Sequence, residues 1–322
     1  MFYIEMIQHI DTNRKVSILL SDTFKKRTFH TYYPIMFREI GHFLIHLRLH
    51  YHFFLLSGGY LLGGFMAGTM DAANYTLQFL NVHILLYGGA TAYNSYWDRD
   101  TGPIGGLKKP PKMTRWMHPA SILLMVTALL LALPQGLLYS TILLISLITF
   151  WLYSTPHARW KQHPILSLIA IAVSTGITSV LLGTLAAGGS IQSLPVLTST
   201  LGATLILLSM YPVSQVFQIA EDQQRGDQTF AVRYGITGVR RFFSISFLVG
   251  LIGIIYGVST IRLDAGLLLL AGTLLSYAVL LRILSRLRGE PSEYPLVMRA
   301  KFIASLSFVL FFLGGNLFLY LM

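Results

Sequence analysis

Long apolar stretches, separated by short loops, recur along almost the whole sequence. A helix needs about 20 mostly apolar residues to cross a bilayer. Stretches of roughly this length lie near residues 51–69, 72–94, 117–135, 137–155, 164–188, 195–219, 241–261, 263–283 and 300–321. Only 11% of the 322 residues are charged, against about 25% in soluble domains. The sequence therefore predicts an all-α polytopic membrane protein with nine transmembrane helices rather than a soluble enzyme.

The basic residues are distributed unevenly between alternate loops. Of the 24 Lys and Arg residues, all but Arg262 fall in the N-terminal arm or in the loops that follow even-numbered predicted helices. Loops that are rich in Lys and Arg stay in the cytoplasm. We therefore expect a multi-pass protein whose N-terminus and even-to-odd loops are cytoplasmic. The net charge of +11 follows from this topology, and no nucleic-acid recognition fold accompanies it.

The first 40 residues differ from the apolar region that follows. They mix basic residues with short apolar pieces and lack the continuous apolar run of a signal peptide. We interpret residues 1–40 as a cytosolic arm with an interfacial segment, and residues 41–322 as one transmembrane domain. His42, His46 and His50 follow at helical spacing, which favours the polar face of an interfacial helix over a metal or haem site.

Two acidic clusters lie at the ends of the second and sixth predicted helices. Their members are Asp98, Asp100, Glu221, Asp222 and Asp227. Asn94 precedes Asp98 by four residues and Gln218 precedes Asp222 by four, so each amide shares a helix face with its carboxylate. An even number of crossings separates the two helix ends. Both clusters are therefore expected at the same cytoplasmic depth, where buried polar groups are costly and usually functional.

Carboxylates beside basic residues indicate a magnesium–phosphate site. Mg²⁺ binds one or two carboxylates together with substrate phosphate oxygens, and Arg binds phosphate through two parallel hydrogen bonds. Lys108, Lys109 and Arg225 lie close to the acids in sequence. An apolar tail on the phosphate compound explains why such a site lies in a membrane bundle. A transporter is the more distant alternative, because it predicts acids at mid-membrane depth and an inverted repeat.

The two acidic segments resemble the aspartate-rich motifs of the UbiA superfamily of intramembrane prenyltransferases. The segment from Asn94 through Asp98 is similar to the first motif, and Asp222, Gly226 and Thr229 fall on positions of the second. In addition, Tyr153 with Lys161 resembles the family's Tyr and Lys/Arg motif. The resemblance covers about residues 45–322 and implies helices around a central cavity, with a cap on the cytoplasmic side.

Each motif departs from the family pattern by one acid. Gly102 and Gln218 stand where the family has Asp. Asp100 and Glu221 are the expected substitutes, because each lies a few residues from the lost position. Asp100 is two residues from Asp98, about 200° around an ideal helix. We therefore expect it to reach the same site only if the helix ends near Asp98.

The resemblance implies a Mg²⁺-dependent enzyme that ionises an isoprenyl diphosphate drawn from the bilayer. The implied metal ligands are Asn94, Asp98, Asp100, Gln218, Glu221 and Asp222. The implied diphosphate-binding residues are Lys108, Lys109, Lys161, Arg225 and Arg48, and the implied catalytic residues are Asn94, Asp98, Tyr153 and Asp222. The prenyl cation is then transferred to an aromatic or hydroxyl acceptor, or it cyclises as in a UbiA-type terpene cyclase. We favour transfer.

Overall fold

The computed structural model describes residues 36–100 and 102–321. Over these residues all regular elements are helical, apart from one isolated bridge between Ile104 and Leu107. Residues 1–35 of the expected arm lie outside the described residues. The chain divides into two units, and the described part of the first unit, residues 36–45, is helical. The second unit, His46–Met322, contains both acidic segments.

Seven helices of the second unit are long and apolar enough to cross a membrane. We number them α3 to α9 in chain order, because two further helices, α1 and α2, precede them. They are α3 (Met117–Gln135), α4 (Leu137–Ser154), α5 (Pro164–Ala186), α6 (Leu194–Arg225), α7 (Phe230–Ile261), α8 (Leu263–Leu284) and α9 (Pro291–Tyr320). Each overlaps one of the predicted spans, so the all-helical membrane architecture is confirmed for this part of the chain.

The first two predicted spans are helical but are not among these seven. Helix α1 consists of Leu49–Tyr51, His52–Leu56 and Gly58–Met66, and a turn at Ser57 interrupts it. Helix α2 consists of Ala72–Leu80, Asn81–Leu86 and Tyr87–Asp98. By length and composition, the described residues therefore support seven of the nine predicted crossings.

Polar side chains explain the lower hydropathy of α2. Gln78, Asn81 and His83 are fully buried in the bundle. Gln78 donates to the carbonyl of Leu131 at 3.2 Å and Asn81 donates to that of Ala128 at 3.0 Å. Intramembrane polar groups generally face the bundle interior and find such partners. Helix α2 is therefore held against α3 by hydrogen bonds as well as by apolar contacts.

Glycines allow two pairs of helices to approach each other closely. A β-carbon on Gly63 of α1 would collide with the backbone of α5, and one on Gly183 of α5 would collide with the carbonyl of Tyr60. Likewise, a β-carbon on Gly202 of α6 would lie 2.5 Å from the carbonyl oxygen of Gly250 in α7. Small residues at helix interfaces are typical of membrane bundles. These contacts fix the walls between which the cavity described below lies.

The buried apolar residues form separate clusters rather than one central core. One cluster joins α1 to α5 around Tyr60, Tyr87 and Leu143. Another joins α6 to α9 around Phe217, Phe243 and Val297. A third cluster joins the two groups of helices, with Phe65 of α1, Val180 of α5, Ile254 of α7 and Phe312 of α9 among its members.

Candidate active site

The side chains of the first motif, at the end of α2, are bonded to one another. Asn94 donates from Nδ2 to Oδ2 of Asp98 at 2.9 Å, as their four-residue spacing predicts. Ser154, the last residue of α4, donates to Oδ1 of Asn94 at 2.9 Å. Lys161, between α4 and α5, donates to the same oxygen at 3.2 Å and forms an ion pair with Asp98. The orientation of the Asn94 amide is therefore fixed.

Arg99, whose backbone is in the left-handed conformation, follows the end of α2 and brings Asp100 to the same site. The helix ends at Asp98, and Arg99 has a φ of 51°. The condition that we set for Asp100 is met, because the chain leaves the helical path directly after Asp98. The Asp100 carboxylate accepts a hydrogen bond from Arg225 of the second motif at 2.7 Å.

The second motif, at the end of α6, differs from the first in its helical geometry. Helix α6 tightens into a 3₁₀ segment at Pro212–Gln218 before its last turns at Ile219–Arg225. A 3₁₀ helix has 3.0 residues per turn rather than 3.6, so residues four apart no longer share a face there. Gln218 donates to the carbonyl of Pro103 at 3.3 Å. Asp222 accepts from Thr229 at 3.1 Å.

A glycine turn places a further aspartate beside the second motif. Gly226 has a φ of 77°, a conformation that favours glycine, and it ends α6. The amide of Asp227 then donates to the carbonyl of Asp222 at 2.9 Å. The Asp227 carboxylate accepts from Gln162 at 2.7 Å and lies 3.5 Å from the Arg159 guanidinium. Asp227 thereby connects the second motif to the segment between α4 and α5.

Arg225 joins the two motifs into one site. Its guanidinium donates to Asp100 of the first motif and to Asp222 of the second, each at 2.7 Å. It also lies 3.3 Å from Glu221 and 3.4 Å from Asp227. Such a set of charge-assisted contacts is possible because the guanidinium carries five donors in one plane. The ends of α2 and α6 are therefore adjacent, as the spacing of the acidic clusters predicts.

Glu221 fills space beside the position at which the first motif lacks an acid. A β-carbon on Gly102 would lie 3.1 Å from Oε2 of Glu221. A longer side chain at position 102 would therefore extend towards the place that the Glu221 carboxylate takes. A carboxylate of the second motif thus lies where the family pattern has one from the first.

A cavity of about 300 Å³ connects the two motifs to the interior of the bundle. Its polar end is lined by both motifs, including Asn94, Asp98 and Asp222. Its other end is apolar, and the side chains there are Leu55, Leu56, Phe150, Ile206, Leu207, Met210 and Phe308. This division suits a ligand that has an anionic head group and an apolar chain.

Tyr153 stands on the cavity wall between the two motifs. Its hydroxyl lies 3.1 Å from that of Tyr211 in α6, within hydrogen-bond distance. Both rings line the cavity, as does Phe150 one turn before Tyr153. The faces of aromatic rings attract cations. The site therefore offers such faces close to the carboxylates.

Burial changes the acid–base properties of two basic residues of the site. Burial, assisted by the positive charge of Arg225, lowers the pKa of Lys161 to about 7. Burial also lowers the pKa of Arg48 from its usual value. Both shifts arise because the charged form is disfavoured away from water. An anionic ligand in the cavity would favour the charged forms of both.

The loop after α2 is bonded to residues just before and at the start of α1. Arg48 donates to the carbonyl of Gly105 at 3.1 Å and to Ser95 at 2.7 Å. His46 and His50 lie 2.7 and 3.0 Å from the carbonyl oxygens of Pro111 and Gly106. These histidines therefore contact loop carbonyls. No group of three His, Asp or Glu residues in the described chain is arranged to hold a metal by itself.

The structure brings most of the predicted site residues to one cavity. Those that line it are Arg48, Asn94, Asp98, Asp100, Tyr153, Lys161, Gln218, Asp222 and Arg225. Glu221 does not line the cavity but contacts Arg225. Lys108 and Lys109 are exposed and are not part of the lining. A role for these two lysines in diphosphate binding stays a prediction that the present geometry does not favour.

Four polar residues are notable among those of the cavity wall that were not assigned from the sequence. They are Ser154, Tyr211, Asp227 and Lys301. Ser154 and Tyr211 carry no signal, because hydroxyl groups are common in membrane helices. Asp227 belongs to the second acidic cluster, and its part depends on the turn at Gly226. Lys301 does carry a signal, since it is a cation next to the apolar run of α9, where sequence analysis counts it as a loop charge.

Comparison with known proteins identifies the family. A sequence model of the UbiA prenyltransferase family matches residues 55–306, which is most of the chain. The chain belongs to the UbiA prenyltransferase family. The resemblance drawn from the two motifs is thereby confirmed. No curated protein matches the sequence.

Solved structures share the fold of this UbiA family member. A UbiA homologue from Archaeoglobus fulgidus, bound to GPP and Mg²⁺, superposes with a TM-score of 0.66 at 18% identity, over 85% of this chain and 99% of that one. The same homologue bound to DMAPP and Mg²⁺ gives a TM-score of 0.66 at 18% identity, over 85% and 98%. A structure described as digeranylgeranylglyceryl phosphate synthase gives 0.59 at 18% identity, over 87% and 99%. At these identities the similarity establishes the fold.

Proposed function

We propose that this protein is a Mg²⁺-dependent intramembrane prenyltransferase, which ionises an isoprenyl diphosphate and transfers the prenyl group to an acceptor. The observation that carries the proposal is the contact of Arg225 with Asp100 of the first motif and Asp222 of the second. It assembles both acidic segments at the polar end of a cavity whose other end is apolar. The Archaeoglobus homologue with this fold binds GPP or DMAPP together with Mg²⁺.

The donor set at the polar end fits magnesium. Asp98, Asp100, Asp222 and Asn94 offer hard oxygen ligands, which Mg²⁺ prefers. Mg²⁺ is normally held by one or two carboxylates, with phosphate oxygens and water completing its shell. A site in which the described residues form no closed ligand cluster is compatible with that habit. When bound, the ion would neutralise charge on the diphosphate leaving group.

The protein's own residues then have separable parts. Lys161, Arg225 and Arg48 bind and orient the diphosphate, because charge-assisted hydrogen bonds to phosphate are strong and directional. The apolar walls around Leu207 and Met210 hold the prenyl chain and keep water away from the reacting carbon. The ring of Tyr153 faces the positive charge that develops at the allylic carbon.

Transfer and cyclisation make different demands on the same site. Transfer needs space for an acceptor, an aromatic ring or a hydroxyl compound, beside the allylic carbon. Cyclisation needs the cavity to fold the prenyl chain onto itself. We favour transfer because this is the activity after which the family is named, and we keep the terpene cyclase as the second candidate because each motif lacks one of the family's acids.

We further propose the topology that the charges predict. In it, α1 and α2 also cross the bilayer, which makes nine crossings, and the N-terminus and the loops of the site face the cytoplasm. Residues 1–40 form a cytosolic arm and residues 41–322 the prenyltransferase domain. The buried polar side chains of α2 support its membrane placement, because they bond within the bundle instead of facing lipid.

Diphosphate release by the purified full-length protein tests the proposal. The protein is incubated in lipid nanodiscs with Mg²⁺ and prenyl diphosphates of several lengths, with and without aromatic and hydroxyl acceptors. Release only with an acceptor, together with a prenylated product by mass spectrometry, supports transfer. Release without an acceptor, with a cyclic hydrocarbon or alcohol, supports cyclisation. No binding of any prenyl diphosphate would contradict both and favour a transporter.

A further inference from the structure

Lys301 is a buried cation on the cavity wall that neither acidic motif uses. It lies in α9, lines the cavity and is only 9% exposed. Its ammonium group donates to the hydroxyl of Tyr51 and lies 4.9 Å from the centre of the Tyr51 ring. No Asp or Glu within residues 36–100 and 102–321 forms a salt bridge with it. A buried ammonium without a counter-charge is costly, so its retention in a membrane helix points to an anionic ligand.

Arg48 stands near Lys301 in the same condition. It is 8% exposed, and among the residues that the structure describes its guanidinium hydrogen-bonds to neutral oxygens, those of Ser95 and Gly105. Its Nε atom is buried without a hydrogen-bond partner. The amide of Tyr51 donates to the carbonyl of Arg48 at 2.8 Å, which sets the two residues on one turn. Arg48, Tyr51 and Lys301 therefore form a further part of the cavity wall, which is basic and which we call the basic wall.

The charges of the two walls are unlike. The aspartate wall consists of the four cavity-lining carboxylates of Asp98, Asp100, Asp222 and Asp227, together with two cations, Lys161 and Arg225. That wall therefore has negative charge in excess, as a metal site requires. The basic wall has two cations, and no carboxylate of the described residues is hydrogen-bonded to them or forms an ion pair with them, although the charge of Asp100 acts on Arg48. One cavity is thus lined both by carboxylates in excess of cations and by two cations without a paired carboxylate.

One face of α9 carries the positive charge of Lys301 and, further along the helix, apolar side chains that also line the cavity. Lys301, Ala304, Ser305 and Phe308 all line the cavity, and residues spaced by three, four and seven lie along one helix face. Lys301 and Phe308 are about 10 Å apart along the axis, from the rise of about 1.5 Å per residue. The same face is therefore cationic beside the polar end and apolar beside the tail region.

We propose that Lys301, held by Tyr51 and joined by Arg48, binds the substrate diphosphate in the cavity that the aspartates also line. This inference rests on the proposed function and adds α9 to the diphosphate site. The carboxylates of the aspartate wall attract the anion through a bound metal, and the cations between them are already paired, whereas the basic wall attracts it directly. The prenyl chain then runs along Ala304 and Phe308 in the same direction.

Binding of two diphosphate probes tests the role of Lys301. Inorganic pyrophosphate and geranyl thiolodiphosphate, which ionises slowly, are titrated calorimetrically into the full-length protein in nanodiscs, with Mg²⁺ and with EDTA. Lys301→Met should weaken the binding of both probes by about 10- to 100-fold, the loss expected for one hydrogen bond to a charged group. The residual metal-free binding seen with EDTA should fall as well. Lys301→Arg, which keeps the charge, should bind within about threefold of the wild type.

Arg299→Met is the matched control. Arg299 is an exposed residue of the same helix, outside the cavity lining, so this variant loses the same charge. Its probe affinities should equal those of the wild type. Thermal unfolding of each variant verifies that the bundle is intact. If Lys301→Met does not fold, Lys301→Gln, which keeps a polar group towards Tyr51, takes its place with the same expectation.

The outcomes separate this inference from the proposed function. A wild-type protein that binds neither probe contradicts the proposed function itself. A wild-type protein that binds both, with Lys301→Met equal to Arg299→Met, overturns only the role of Lys301.

Discussion

The two acidic motifs occupy equivalent places at the ends of α2 and α6, yet they are supported in different ways. In the first motif, Asp98 has its own amide and its own cation, Asn94 and Lys161. In the second, Asp222 shares the single guanidinium of Arg225 with three other carboxylates. At its central aspartate the first motif thus pairs one carboxylate with one cation, whereas at the central aspartate of the second motif one cation serves four carboxylates.

This difference indicates a division of labour. A balanced, fully bonded motif is suited to holding one geometry, while an excess of carboxylates is suited to attracting a divalent cation. We therefore expect the second motif to contribute more to metal affinity and the first to contribute more to orientation of the bound diphosphate. Paired substitutions at matching positions of the two motifs test this expectation.

The largest effect is expected from the two central aspartates. Asp98→Asn and Asp222→Asn should each lower the rate of diphosphate release by about 1,000-fold or more, because each removes a charge that holds the metal at the leaving group. The Mg²⁺ concentration for half-maximal rate should rise more for Asp222→Asn. Release assays over a Mg²⁺ titration measure both quantities. Equal Mg²⁺ requirements in the two variants would contradict the division of labour.

The cations that contact these aspartates should rank next. Arg225→Met leaves carboxylates such as Asp222 and Asp100 with fewer partners, and removing one partner of buried ion pairs costs roughly 3–5 kcal/mol. Since 29% of the Arg225 side chain is exposed, we expect the lower end of that range. Lys161→Met leaves Asp98 bonded to Asn94 and should cost less. Thermal unfolding compares the two variants.

Added Mg²⁺ sharpens the comparison of these two cations. A divalent ion replaces positive charge where carboxylates are in excess, and a ligand of the folded state stabilises it in proportion to its occupancy. Mg²⁺ should therefore restore more of the lost stability in Arg225→Met than in Lys161→Met. Mg²⁺-free buffer with EDTA is the reference. A larger rescue of Lys161→Met would reverse our assignment of the negative excess.

The two amides should differ in the same sense at a smaller scale. The Asn94 amide hydrogen-bonds to Asp98, Ser154 and Lys161. The Gln218 amide, in the described part of the chain, donates to the carbonyl of Pro103. Asn94→Ala should lower diphosphate release by about 10- to 100-fold, as expected for residues that orient ligands. Gln218→Ala should change it by less than about threefold. Comparable losses in both variants would indicate that Gln218 turns towards the metal when substrate binds.

The sequence predicts the meeting of the motifs for a simple topological reason. Apolar spans of fixed length place Asp98 and Asp222 at helix ends, and an even number of crossings puts both ends on one side. The condition for Asp100 to reach the site, that α2 ends near Asp98, is met in the structure. The helical arrangement and the family membership are confirmed by the structure and by the family match.

Details that depend on local backbone geometry are not predicted. Gln218 ends a 3₁₀ segment and donates to the carbonyl of Pro103, whereas Asn94, at the same spacing from its aspartate, donates to Asp98. The position of Asp227 depends on the left-handed turn at Gly226. From the sequence, Lys301 is counted among the basic residues of a loop. In the structure its side chain lines the cavity and contacts Tyr51. Each case requires a rotation about a helix axis that composition does not specify.

The smallest effects are expected from the two hydroxyls that support the motifs. Ser154 donates to Asn94, and Thr229 donates to Asp222 while also capping the start of α7. Loss of a helix cap costs about 1 kcal/mol, so Thr229→Val should lower the unfolding temperature, whereas Ser154→Ala should leave it nearly unchanged. Both should lower diphosphate release by about tenfold, because each frees a group that positions the reactants. Thr229→Ser, which keeps the donor, should retain activity and stability. If Ser154→Ala instead proved the less stable variant, the first motif would depend on its hydroxyl for folding, and the contrast between a balanced and an unbalanced motif would have to be abandoned.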